Sequence, residues 1–444
     1  MSLSGEFMDK KLNRPFQQSQ TDLMNKMKTE TENKKYKAVC FKMEDTLTVM
    51  PFSEFSDLFL LMNREFESIT KKKKNTWDFA QLRLKAQESA EKKFSHKENV
   101  TIYKIYDIIG NMSGISREDC ERLMNTELEL VVKYTFPRDF GEFLFRSSEK
   151  SKKKVFIVSE SIYPRHILVK ILSKCGFETC RELILKSELQ IPDTDKRLLF
   201  EKVIEKTKVS AEKLLYIGSN VSADVEIPVM NGAKALLVSS VVPLMIKSGR
   251  LRSWIQAKYL YDYDKIDFLA FHILMGLYSL YGFDVPQNKV YRSDFCNDPY
   301  MIGFVVLGGL SFLKEYQPDK QSQKIIDALN SDERVLKGLK DFKTMYGRYF
   351  DDDDILKNNT KGCESPLIFV RDYFSEGDRQ IFKNYMEEKD FSEWCSNVQT
   401  PDVVTVYGRK TGQNFLAKLA DKMFPPNTKV RNMVDAILFK MKSR

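Results

Sequence analysis

Histidine and cysteine are both scarce in this chain of 444 residues, with three of the former and seven of the latter. The cysteines, Cys40, Cys120, Cys175, Cys180, Cys296, Cys363 and Cys395, include no Cys-x-x-Cys pair, which excludes the usual zinc spacings. Reduced thiols in a cytoplasmic protein are the expectation. No apolar run reaches the ~20 residues that a membrane-spanning helix needs. The two most apolar stretches, 268–283, interrupted by His272, and 300–313, with three glycines, are expected to be buried helices. No apolar signal core opens the chain, and residues 1–7 read as an added leader ahead of Met8. A basic patch interleaved with aromatics is also lacking, as is any groove-reading motif, so no nucleic-acid partner is expected.

What is present is apolar enough for a substantial core. Hydrophobic residues make up 42% of the chain, and its length exceeds the ~250–300 residues at which single cores stop growing, so more than one domain is expected. Lys and Arg exceed Asp and Glu by nine, spread along the chain rather than gathered in one arm.

The organisation follows from hydrophobic period. Residues 1–35 are polar and without apolar periodicity, and read as a flexible lead-in. An apolar strand then runs from Ala38 into a polar loop. Phe55, Leu58, Phe59, Met62 and Phe66, then Phe79, Leu82, Ala86 and Ala90, follow at helical spacings and predict an all-helical insert over 52–143. From residue 154 short apolar strands at 155–159, 182–185, 214–218 and 235–238 alternate with helices near 166–175 and 196–206. Parallel neighbours need crossover connections, so this alternation predicts a parallel α/β sheet covered on both faces. Chemistry in such sheets lies at the carboxyl ends of the strands, which directs attention to the loops after Phe41, Val158 and Ile217. The expected domains are 36–51 with 144–248 as the α/β core, 52–143 as the helical insert, and 249–444 as a mainly helical C-terminal domain. Aromatic-rich amphipathic stretches in the last of these include Tyr259, Tyr261, Phe268, Phe271, Leu274 and Leu277, and one isolated strand is expected at 403–407.

Phosphoryl transfer at such a mouth needs a carboxylate nucleophile, a metal to neutralise phosphate oxygens, and fixed donors. The first loop reads Lys42-Met43-Glu44-Asp45-Thr46-Leu47, the second follows Ser159, and the third reads Gly218-Ser219-Asn220-Val221-Ser222-Ala223-Asp224. These three loops, in this order, resemble the motifs of the haloacid dehalogenase-like superfamily across residues 36–240. The similarity is greatest to a bacterial subgroup with a Phe-Asp-x-Phe-Asp-Thr-Leu first motif, found with surface-polysaccharide glycosyltransferases. The resemblance implies a Rossmann-like sheet with a helical cap and an Mg²⁺-dependent phosphohydrolase site.

The residues that would carry that chemistry are altered. Lys42 stands at the nucleophile position, where a cation can neither attack nor share the pocket with a metal. Glu44 holds the acid/base position of the commonest motif with an extra methylene, a displacement of about 1 Å that can cost ~10²-fold in rate. Asp45 keeps the second Asp of the subgroup. Ser219 replaces a metal-ligating Asp and leaves Asp224 as the retained acid of that motif. Thr46, Ser159 and Lys196, which opens a helix, are the expected phosphate-binding residues, and Lys186 is the less favoured alternative because it directly follows a strand. Lys42 is expected to pair with Asp224 or Glu44, standing where Mg²⁺ stands in active relatives. In the insert, Arg83 with Gln87 and Ala90 resembles a cap pattern and is read either as an anion contact or as a surface arginine.

Three smaller features have plain physical readings. The lysine run 71–74 reads as a solvated turn. The acidic run 351–354 lacks the glycine that an EF-hand loop requires, which argues against calcium. Residues 424–444 form a basic amphipathic segment resembling a tail of bacterial surface-polysaccharide proteins, and read either as a membrane-surface or partner contact or as a plain packing helix.

Three functions are therefore open. The first is a non-catalytic binder of a phosphorylated or sugar-nucleotide ligand, or of a partner such as a glycosyltransferase, in bacterial surface-glycan assembly. The second is a hydrolase or phosphatase with rearranged carboxylates. The third, a basic nucleic-acid or membrane-surface module, is disfavoured. No cofactor is expected unless the second holds, in which case Mg²⁺ is. The protein is expected to be cytoplasmic, with a peripheral contact at the inner membrane face allowed by the tail.

Overall fold

A computed structural model describes residues 18–70, 78–189, 191–192, 194–247, 269–284, 299–311 and 320–350. In chain order the strands are β1 (Ala38–Lys42), β2 (Thr48–Val49), β3 (Phe136–Pro137), β4 (Lys154–Ser159), β5 (Glu182–Leu185), β6 (Leu214–Gly218) and β7 (Lys234–Leu237). Five of them form one parallel sheet in the order β5-β4-β1-β6-β7. The strands at 182–185 and 214–218 fall where their apolar runs place them. The last strand begins one residue early, because Lys234 pairs with Leu215.

β1 lies at the centre and is buried along its whole length, as a parallel strand covered on both faces must be. Its side chains alternate. Ala38 and Cys40 join Phe156, Val158, Leu214 and Tyr216 against Leu199, Phe200 and Val203 of the helix Lys196–Thr207. Phe41 faces the other way, its ring 5.7 Å from that of Phe145 in the helix Asp139–Lys150, and Phe145 in turn meets Phe177 at 4.9 Å. Each fully buried side chain of this kind contributes about 1.5–3 kcal/mol. The register sets Lys42 beside Val158 and Phe41 beside Ile217, so the loops leaving β1, β4 and β6 emerge side by side.

The insert between β1 and β4 is helical, with Asp57–Leu60, Asn63–Thr70, Phe79–Phe94, Ile102–Ser113 and Arg117–Tyr134. Among the described residues one short strand, β3, falls inside the expected 52–143 and corrects the all-helical reading. β3 pairs antiparallel with β2 and ties together the chain entering and leaving the insert. Phe79, Leu82, Ala86 and Ala90 are buried as their spacing predicts, whereas Phe55 is 43% exposed and is tied to the core by its edge-on contact with the buried Phe59. Ser116 caps the last of these helices by accepting from the Asp119 amide at 3.1 Å.

The expected lead-in is corrected over part of its length, because Gln18–Glu32 is a helix. Met24, Met27 and Thr31 are buried, and the Thr31 hydroxyl meets that of Ser147 at 2.9 Å. Two methionines and a threonine make a contact stripe too weakly apolar to register as helical period.

The chain divides into two compact units, residues 1–244 with 279–290 and residues 245–278 with 291–444. The described part of the second is helical. Gly303 and Gly338 permit its tightest backbone contacts, since a Cβ on either would fall 1.8 Å from the carbonyl oxygen of Val335 or Tyr300. Phe304 and Phe342 meet edge-to-face at 5.5 Å. Most of the helix Leu269–Phe283 is buried, as its composition predicts. No helix among the described residues is long and apolar enough to cross a membrane. The runs 71–74 and 351–354, Tyr259, Tyr261, Phe268, the strand expected at 403–407, and the tail 424–444 lie outside the described residues.

Candidate functional site

At the carboxyl end of β1 the Lys42 side chain turns toward the neighbouring strand. Its Nζ donates to Oε1 of Glu160 at 2.6 Å and lies 3.5 Å from Oε2 of Glu44, with only 9% of the side chain exposed. Burial works against its charge, but the carboxylates of Glu44 and Glu160, with Asp224 beyond them, outweigh it and hold the ammonium pKa above the ordinary lysine value. Of the two partners expected for Lys42, Glu44 is thus within ion-pair range. The closer partner is Glu160, which the motif reading passed over.

Glu160 follows β4 and gathers two further lysines. Lys186, 2% exposed at the end of β5, donates to its Oε2 at 3.3 Å, and Lys196, at the start of the helix Lys196–Thr207, donates to the same oxygen. Burial opposes ionisation of Glu160, but Lys42 and Lys196 hold its carboxyl far below the usual range. Lys186 and Lys196, alternatives in sequence, converge on one oxygen. Asp195 caps the helix by accepting from the Leu198 amide at 2.8 Å, which fixes where Lys196 starts.

The remaining residues of the three loops bind one another. The Ser159 hydroxyl donates to Oε1 of Glu44 and accepts from the Ser161 amide at 3.2 Å. Oε2 of Glu44 is buried without a hydrogen bond among the described residues, as is the Thr46 hydroxyl. Asp45 adopts a left-handed turn, φ 55°, and accepts from the Ser240 hydroxyl at 3.1 Å. Its carbonyl accepts from Arg138, a buried guanidinium that also pairs with Asp284 at 2.7 Å and donates to the Ser239 carbonyl at 2.8 Å. One arginine therefore clamps the first loop to the chain after β7.

Asp224 turns back on its own loop. Its Oδ2 accepts from the amides of Ser219 and Asn220 at 3.0 and 2.9 Å, and burial raises its pKa despite Lys42 and those amides. Gly218 is required here, because a Cβ would lie 2.4 Å from Cβ of Asp224. The Ser219 hydroxyl reaches the Glu44 carbonyl at 3.5 Å.

Arg83 is the clearest correction. It is fully buried rather than on the surface, bonded through Nε and Nη2 to both oxygens of Glu127 at 2.8 and 2.9 Å and to Gln87 at 3.0 Å, and it stacks 4.5 Å over the Phe59 ring. Tyr106 and Tyr163 complete the shell by donating to Glu127 at 2.9 and 2.8 Å. Its charge is consumed inside the insert.

The Mg²⁺ that the motif resemblance implies does not fit these residues. It needs oxygen ligands at ~2.0–2.1 Å in octahedral array. Here an ammonium lies between the carboxylates of Glu44 and Glu160, and one oxygen of Asp224 is committed to two amides. Among the described residues no group of three or more His, Cys, Asp or Glu is placed to hold a metal.

Similar solved structures are haloacid dehalogenase-like proteins. A haloacid dehalogenase-like family hydrolase from Xanthomonas campestris is 14% identical with a TM-score of 0.34, over 46% of this chain and 82% of that one. A HAD-family enzyme from Bacteroides thetaiotaomicron, in complex with magnesium and inorganic phosphate, is 11% identical at 0.32, over 46% and 95%. The L-2-haloacid dehalogenase of Xanthobacter autotrophicus is 15% identical at 0.32, over 46% and 77%. No family model and no curated protein matches the sequence.

Proposed function

We propose that this chain is a non-catalytic member of the dehalogenase-like fold that acts by binding. The observation that carries the reading is the Lys42–Glu160 contact of 2.6 Å, which puts an ion pair where a phosphotransferase of this pattern keeps its nucleophile and metal. Support for the fold comes from the strand order and from the convergence of the three loops. A phosphorylated or sugar-nucleotide ligand, or a glycosyltransferase partner, in bacterial surface-glycan assembly is the setting that the motifs favour. The reading includes a cytoplasmic location, with the tail 424–444 as the segment for a peripheral membrane contact.

One observation favours the alternative, a hydrolase with rearranged carboxylates: Oε2 of Glu44 is buried without a hydrogen-bond partner among the described residues. A panel of phosphomonoesters assayed with Mg²⁺ separates the two. No turnover is expected. Turnover by the unmodified protein that disappears in Glu44→Gln or Asp224→Asn would overturn the non-catalytic reading.

A further inference from the structure

Lysines that are scattered in the sequence gather at the amino end of the sheet, opposite the Lys42 site. Lys37 and Lys213 precede β1 and β6, Lys154 opens β4, and the register sets Ala38 beside both Lys154 and Leu214. The Lys37 amide donates to the Lys213 carbonyl at 2.8 Å, so the three lysines stand in a row across strands spaced about 4.8 Å apart. The turns feeding these strands, 33–37, 150–154 and 208–213, hold nine lysines and one acidic residue, Glu212. Flanking acids have partners of their own: Glu32 lies 3.5 Å from Lys28, Glu149 2.8 Å from Arg146, Glu205 2.7 Å from Lys202 and Glu182 3.9 Å from Lys206. The turn before β5 carries one residue of each sign, Glu178 and Arg181. Lys34, Lys37, Lys152, Lys154, Lys208 and Lys213 are exposed and have no ion pair among the described residues.

Helix ends explain part of this gathering. Lys153 donates to the Asn33 and Tyr36 carbonyls just past the helix Gln18–Glu32, where a cation meets the negative end of the dipole. They do not explain the row at the strand starts, where like charges crowd: burial and then the Lys37 ammonium hold the Lys153 pKa below the ordinary lysine value. Nor do they explain Lys152 and Lys208, which adopt left-handed backbone at φ 56° and 52°, positions that favour glycine. Lysines kept at strained positions inside a cluster of like charge indicate a use for the charge.

We propose that this end of the sheet, with Lys37, Lys154 and Lys213 at its centre and Lys34, Lys152 and Lys208 around them, holds the protein electrostatically against an anionic lipid bilayer. The three turns contain no arginine to grip a phosphate with two bonds. They expose no large apolar side chain to anchor a protein partner, and their one aromatic, Tyr36, is buried and cannot stack on a base. Hydrated point charges on flexible stems suit a diffuse layer of anionic headgroups. The contact is independent of the tail 424–444 and of the non-catalytic reading, and it turns the Lys42 site away from the bilayer.

Sedimentation of the full chain with vesicles of equal parts phosphatidylglycerol and phosphatidylcholine tests this. Binding is expected at low salt, should weaken as salt rises, and should be absent with phosphatidylcholine alone. Lys37→Glu/Lys154→Glu/Lys213→Glu should lower partitioning about 10²-fold, at roughly fivefold per lysine lost. Lys85→Glu/Lys92→Glu/Lys97→Glu, on the insert, makes the same change in net charge and should alter partitioning little. Should the first triple variant fail to fold, Lys152→Gly/Lys208→Gly serves in its place: relieving two left-handed positions should raise the melting temperature, while partitioning falls about twentyfold. Equal losses in the two triple variants would assign the attraction to net charge and overturn the proposal. So would partitioning unchanged in the glycine variant, no binding to the anionic vesicles, or patch-dependent binding to DNA without binding to vesicles.

Discussion

The hydroxyl of Tyr163, in the loop after β4, donates at 2.8 Å to Oε1 of Glu127, in the middle of the helix Arg117–Tyr134. This bond crosses from the sheet to the insert at a carboxylate that is itself buried and paired with Arg83. The neighbouring Ile102 amide donates to the Ile162 carbonyl at 3.1 Å. The insert is therefore fastened to the second loop by buried polar bonds, an arrangement suited to holding the site in one shape.

Glu127→Gln should destabilise strongly, by about 3–5 kcal/mol, because it leaves the Arg83 guanidinium buried without its counter-charge. The double variant Arg83→Met/Glu127→Gln should lose much less than the sum of Arg83→Met and Glu127→Gln measured singly. Urea denaturation of the four proteins measures this, and additive losses would remove the argument that the pair is coupled.

Added Mg²⁺ should leave the melting temperature of the unmodified protein unchanged, since Lys42 neutralises the carboxylates a cation would need. Lys42→Asp with Ser219→Asp restores two acids and should create a metal-dependent rise. A rise already present without these changes would contradict the account of the site.

The pH dependence of the ion pair has a definite sign. The Glu160 carboxyl is depressed in the folded state, so its contribution is present above its unfolded value, about 4.3, and is lost as pH falls. The Lys42 ammonium is raised, so its contribution is present below about 10.4 and is lost as pH climbs through the folded value. The stability difference between the unmodified protein and Glu160→Gln should be level between these limits and narrow below about pH 4.3. Asp224 works in the opposite sense, because its raised pKa favours the fold on protonation, but it is common to both proteins. Denaturation midpoints at a series of pH values check this, and a difference that widens in acid would refute it.

Gly141→Ala should cost at least about 1–3 kcal/mol, since the new Cβ would fall 1.9 Å from the Thr46 carbonyl oxygen and push the first loop aside. Gly347→Ala is the contrast. It sits in the helix Glu333–Phe350 with nothing within 4 Å of the added carbon and should stabilise by about 0.5–1 kcal/mol. Thermal melts of both variants decide the point, and equal effects would show that the packing at Thr46 is not tight.

Much of the sheet was legible because buried parallel strands are short continuous apolar runs bounded by polar loops, and Glu182–Leu185 and Leu214–Gly218 are of that kind. The loop residues Lys42, Glu44, Ser159, Ser219 and Asp224 were legible by position at strand ends, and the register of β1 with β4 and β6 brings them together. Glu160 was within reach of the same logic, standing directly after Ser159, but the motif drew attention to its neighbour. The helix Gln18–Glu32 was hidden because its buried stripe is only partly apolar. Arg83 was misread because an arginine on a polar helix gives no sign that Glu127, forty-four residues away, will bury it.

The opposed periods of strand and helix in the sequence determine the layers of this protein and the three loops where its site lies, because local side-chain spacing decides which face each element can bury. The sequence also determines that a lysine ends the central strand and opens the first loop. Only the tertiary structure decides what that lysine does. Its partner comes from the loop after the neighbouring strand, 118 residues away, and two more lysines from different elements close on the same carboxylate. Charge pairing in a buried place depends on distances of a few ångströms between segments remote in sequence, and those are set by the parallel register of the sheet.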